Sequence, residues 1–150
     1  MAHTHTALLF HLIFSTKHRA PPLTPEIRPR LFPYMGGIIR DLRGTALLIN
    51  GPADHVHLLT SVPPVVALSD LLRELKAISS AWVNDVFHPH EEFAWQTGYG
   101  AFTVSKSAEE SVHHYILNQE EHHKRTTFEE EYFAFLKRHA ITYDPRFLFD

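Results

Sequence analysis

Two short apolar runs, residues 45–50 (TALLIN) and 55–62 (HVHLLTSV), flank Gly51-Pro52-Ala53-Asp54. Turn formers between two strand-like runs predict an antiparallel hairpin. The hairpin also imposes a chemical constraint. A strand sends alternate side chains to opposite faces, so His55 and His57 project together while Val56 and Leu58 point the other way. Two imidazoles then converge at the start of the second strand, at the rim of a sheet, where a metal can be held and still be reached by a polymer. In a chain with thirteen histidines, a bare His-x-His reads equally as two satisfied polar residues on a half-exposed strand. The surrounding sequence decides between these readings.

Residues 6–14 (TALLFHLIF) read as a buried strand, with His11 as a core or sheet-face histidine. Thr24 caps a helix whose apolar residues from Ile27 to Leu42 recur at helical spacing. Pro29 and Pro33 each remove a backbone donor, at roughly 3 kcal/mol per interior proline, which predicts a bent or late-starting helix. Gly36-Gly37 suits close packing on the sheet, and Gly44 a helix C-cap. Ser69 caps a second helix to about Phe87, with Leu71, Leu72, Leu75, Ile78, Ala81, Trp82 and Val86 on its buried side and Lys76, Ser79 and Ser80 nearer the other. Residues 101–104 form a short strand, and Ser107 with Glu110 makes a capping box for the next helix. A last capped helix, residues 126–139, puts Phe128, Tyr132, Phe135 and Leu136 on one stripe and Glu129-Glu130-Glu131 on a solvated face. This order predicts an α+β fold, an antiparallel sheet with helices packed on it, as a single domain over residues 1–150. The aromatic tail, residues 141–150, docks on the body or on a second subunit.

The chain has no cysteine, which leaves histidine, carboxylate and amide as metal ligands and fits a cytoplasmic protein. No apolar run has the length of a membrane span, and the first five residues carry no leader pattern. The net charge of −3 argues mildly against a nucleic-acid partner, but residues 1–50 carry +4 and the remainder −7. A basic first third could hold DNA while an acidic last third stays clear.

In a helical run, Tyr115 and Gln119 are an i, i+4 pair, so a phenol and a carboxamide can reach one site. With His55 and His57 they form a constellation that resembles the single-tyrosine transposases of the smallest bacterial insertion sequences, the TnpA family of HUH (His-hydrophobic-His) enzymes. The resemblance runs through Ser15-Thr16-Lys17-His18-Arg19, Leu23-Thr24-Pro25-Glu26-Ile27, the Asp54-His55-Val56-His57 stretch, Lys76 with Ser79-Ser80, Gly98-Tyr99-Gly100-Ala101-Phe102, and Tyr115 to Gln119 followed by His122-His123. It implies a ferredoxin-like sheet and a metal held by His55, His57 and Gln119. It also implies a Tyr115 nucleophile that cuts and rejoins single-stranded DNA through a 5'-phosphotyrosine link. Imidazole and oxygen ligands suit magnesium or manganese. Asp54, His122 and His123 are candidate supporting residues, and Lys17, Arg19, Lys76, Ser79, Trp95 and Tyr99 candidate DNA contacts. The family further implies hairpin DNA as partner and a homodimer whose active sites are completed across subunits. A histidine-metal phosphoesterase, a non-mobile binder of folded single strands and a structural dimer are the alternative readings.

Overall fold

The computed structural model describes residues 3–17 and 22–149. The elements are β1 (Leu9–Ser15), α1 (Arg28–Asp41), β2 (Thr45–Asn50), β3 (His55–Ser61), α2 (Leu68–Phe87), β4 (Gly100–Val104), α3 (Glu109–Leu117), α4 (Gln119–His122) and α5 (Phe128–Arg138). A 3-10 turn, Lys106–Ala108, leads into α3. The strands form one sheet in the order β2-β3-β1-β4, each neighbour antiparallel. This is the ferredoxin-like arrangement, with the β2–β3 hairpin where the turn residues put it.

The two-residue period gives the sheet two unlike faces. Leu12, Phe14, Val56 and Leu58 pack beneath α1 and α2 with Leu31, Met35, Leu72 and Leu75. On the other face, Ile13 and Phe102 meet Phe128, Tyr132, Phe135 and Leu136 of α5, and Leu59 meets Ile116 of α3. A buried Leu or Phe contributes roughly 1.5–3 kcal/mol, so the four-residue stripe fixes α5 as a wall of the domain. The tail adds Leu148 and Phe149 to this cluster, while Phe147 is exposed.

Local differences from the sequence expectation have local causes. Thr24 Oγ1 accepts from the Ile27 amide at 3.3 Å in a turn that precedes α1, and the helix starts at Arg28 with Pro29 in its first turn, where a missing donor costs little. Arg43, at φ 73°, takes the left-handed position after α1, not Gly44. Gly44 is required for closeness, since an added Cβ would lie 2.9 Å from Ile39 Cγ2. Ser69 sits inside the first turn of α2 after an N-cap at Ala67, and the buried stripe runs through Ser79 and Val83 while Ile78 is exposed. No Ser107 capping box forms, because that serine lies in the 3-10 turn. The box at α5 does form, between Thr127 and Glu130.

Gly36 and Gly37 do not pack on the sheet. A Cβ at Gly36 would meet nothing within 4 Å. Gly36→Ala should therefore stabilise the protein by about 1 kcal/mol, the helix-propensity difference, measured as a higher urea midpoint.

Candidate active site

The hairpin turn presses on the histidine strand, since a Cβ at Gly51 would lie 2.3 Å from the His55 carbonyl oxygen. Arg28 Nη1 donates to the Gly51 carbonyl at 3.2 Å and ties the turn to α1. His55 and His57 share the face covered by α5, and both are fully buried. They do not open at a rim: β3 is an interior strand, and the Phe128 ring lies 4.5 Å from that of His55.

Each ring is anchored through Nδ1. Asp54 Oδ1 accepts from His55 Nδ1 at 2.7 Å, and His11 Nε2 lies 2.8 Å from His57 Nδ1. Both Nε2 atoms are thereby aimed at one place, as ligand histidines usually are by outer partners. There, His55 Nε2 lies 3.0 Å from His123 Nε2, and Glu131 Oε1 lies 3.0 Å from His57 Nε2 and 3.1 Å from His123 Nε2. The ligand atoms of His55, His57, His123 and Glu131 fall within 4.8 Å of one another, a donor set that could hold one divalent cation.

The chain bends at Asn118, so Tyr115 lies in the last turn of one helix and Gln119 begins the next. Tyr115 Oη donates to Glu131 Oε2 and lies 3.3 Å from His122 Nε2. Gln119 is fully buried, and its Nε2 donates to the Tyr115 carbonyl at 3.3 Å. Its Oε1 has no partner among the described residues, an orphaned acceptor of the kind a cation satisfies. The fold therefore assembles Asp54, His55, His57, Tyr115, Gln119, His122 and His123 around one carboxylate.

That carboxylate, Glu131, is buried and is not part of a solvated face. Its position was readable: three residues after Phe128 and four before Phe135, it falls on the apolar stripe. Residue type, not spacing, is what argues for a solvated position. Burial opposes its charge, but hydrogen bonds from His123, His55 and His57 outweigh burial and hold its pKa far below the usual range. Burial lowers His57 to about 4 and His11 to about 3. Burial also acts against protonation of His55, yet Asp54 and Glu131 overcome it and raise that pKa. Burial and the Glu131 charge push the Tyr115 phenol well above its ordinary value, so without a compensating cation the hydroxyl keeps its proton.

Among the other candidates, Lys76, Ser79 and Trp95 hold the fold together. Lys76 Nζ donates to the carbonyls of Gln96 at 3.0 Å, Thr97 at 3.2 Å and Gly98, with the half-buried Tyr99 ring 5.4 Å away. Burial lowers its pKa to about 8. Ser79 is buried and accepts from Trp95 Nε1 at 2.9 Å, and Trp95 is 7% exposed, so neither offers a face to a base. Lys17 is exposed, and Arg19 lies outside the described residues.

Residues 4–119 match the family of IS200-like transposases. The chain belongs to that family. This transposase is 30% identical over 117 residues to the transposase of insertion sequence IS200 from Salmonella typhimurium, covering 71% of this chain and 74% of that protein. It is 27% identical over 114 residues to the ISDra2 transposase TnpA of Deinococcus radiodurans, covering 73% and 81%. A crystal structure of a Deinococcus radiodurans transposase superposes with a TM-score of 0.65 at 27% identity, covering 79% of this chain and 95% of that one. A REP-associated tyrosine transposase bound to a REP hairpin has a TM-score of 0.60 at 14% identity over 82% and 74%, and shares the fold. His122, His123 and Glu131 lie beyond the family-matched residues. Among the described residues, no helix is long and apolar enough to cross a membrane.

Proposed function

We propose that this transposase cuts and rejoins single-stranded DNA, with Tyr115 as nucleophile and a divalent cation, magnesium or manganese, held by His55, His57 and Glu131, with His123 and the Gln119 carbonyl as further ligands. One observation carries the reading: a single carboxylate joins the imidazole cluster to the tyrosine hydroxyl. When bound, such a cation acts as a Lewis acid on the scissile phosphate. Asp54 and His11 keep the two imidazoles turned inward. Tyr115 attacks phosphorus, its O–H proton passing to His122 Nε2, 3.3 Å away, as the O–P bond forms; the bond from phosphorus to the 3'-oxygen breaks, and that oxygen takes up a proton from water. The phosphotyrosine link conserves the bond energy, so a later attack by a 3'-hydroxyl rejoins strands without a nucleotide cofactor. A relative bound to a REP hairpin supports hairpin DNA as the partner class. A homodimer is part of the same reading, as is a cytoplasmic location; completion of the active sites across subunits is not, because Tyr115 meets the Glu131 of its own chain.

The full burial of both histidines favours one second reading, a non-mobile binder of folded single strands. Incubation with labelled single-stranded DNA from the flanks of its gene, with manganese or magnesium, followed by a denaturing gel, separates the two. A metal-dependent covalent adduct is expected. Tight hairpin binding with no adduct, under conditions where an active relative cuts its own substrate, favours the binder.

A further inference from the structure

Between α3 and α5 lies a cleft of about 420 Å3, a volume typical of small-ligand sites. It is lined by Tyr115, His122 and Glu131, by the hydroxyl residues Ser111 and Thr126, and by Arg138 in the last turn of α5. Arg138 is the only permanently charged cation among the lining residues. Its guanidinium lies 5.5 Å from the centre of the Phe135 ring, and among the described residues it makes no salt bridge. A basic residue in a last turn also favours the helix dipole, so its presence alone calls for no ligand. Its position does more, because it shares a solvent-open cleft with the nucleophile.

We propose that this cleft receives the scissile phosphodiester and that Arg138 grips its non-bridging oxygens, setting the phosphorus against the Tyr115 hydroxyl. The assignment rests on the reading of Tyr115 as nucleophile and adds a substrate-binding residue beyond the family-matched segment. Two carboxylates, Glu130 and Glu131, line the same cleft and would repel an anion unless a fixed cation faced it. Glu131 is engaged by the histidines, and Glu130 by Thr127 in the helix cap. A guanidinium offers a planar fork of donors that matches two phosphate oxygens, which a lysine cannot reproduce.

The test is equilibrium binding of a labelled single-stranded oligonucleotide by the non-cleaving Tyr115→Phe protein in magnesium. Binding is measured with and without Arg138→Gln and with a methylphosphonate scanned along the strand. Arg138→Gln should weaken binding about tenfold and lower the salt slope by about one, the signature of one lost phosphate contact. One methylphosphonate position should weaken the parent protein similarly and have no further effect in Arg138→Gln, and Arg138→Lys should restore the salt slope without full affinity. Arg73→Gln, on α2 and paired with Asp70 at 3.0 Å, serves as the control for a surface charge and should bind as the parent does. Losses that add at every position, or an Arg138→Gln effect no larger than that of Arg73→Gln, would overturn the assignment. Adduct formation by the unmodified protein is scored separately, so failure of the cleft assignment and failure of the nucleophile are told apart.

Discussion

Tyr115→Phe should abolish the covalent protein–DNA adduct, by at least about a thousandfold, while the protein stays folded. The nucleophilic oxygen is lost and no neighbour replaces it. Glu131 forms at best a labile mixed anhydride with phosphate, and the cluster histidines spend their Nε2 atoms on one another and on that carboxylate. The ring is retained, and with it the packing against His57 at 5.9 Å, Phe135 at 5.9 Å and His11 at 6.2 Å between centroids. The structural loss is the hydrogen bond to a buried carboxylate that keeps its histidine partners and the longer contact with His122 Nε2, together worth about 1–2 kcal/mol. A denaturing gel and a urea titration on the same preparation check both halves. An adduct that survives the substitution would place the nucleophile elsewhere.

Much of this protein was legible in the sequence because it is governed by local periods. Turn residues located the β2–β3 hairpin, and alternation put His55 and His57 on one face and Val56 and Leu58 on the other. The i, i+4 relation brought Tyr115 and Gln119 near each other even though the helix breaks at Asn118. What escaped depends on tertiary docking. No local rule says that α5 lies over the start of β3, and only that contact buries the histidine pair. Lys76, Ser79 and Trp95 share the same difficulty: their partners lie across the gap between α2 and the segment before β4, and spacing within α2 cannot reveal carbonyls twenty residues away. Glu131 is a different case. Its spacing points inward while its acidity points outward, and the fold resolves the conflict in favour of spacing because a buried carboxylate on an apolar stripe finds cationic or metal partners.

Those partners make Glu131→Ala the substitution with the largest expected cost to stability. The side chain is 2% exposed and meets four imidazole nitrogens, of His55, His57, His122 and His123, and the Tyr115 hydroxyl. Truncation leaves these groups without their acceptor, and a loss of about 3 kcal/mol follows, measured by urea unfolding in chelator. The pH dependence identifies the cause. Burial works against both charges, yet Glu131 has a depressed folded pKa and His55 a raised one, and each is among the other's reasons. Their pairing is at full strength above the Glu131 value and below the His55 value, and it is lost as pH rises through the latter. The deficit of Glu131→Ala should therefore be greater at pH 5.5 than at pH 8.5. Both proteins should also lose stability as pH falls from 6.5 toward about 4. In that window the unfolded chain takes up protons that buried His57, at about 4, and His11, at about 3, refuse in the folded state. A deficit equal at the two pH values would mean that Glu131 contributes packing and neutral hydrogen bonds, not charge, and would weaken the case for this carboxylate as a metal ligand.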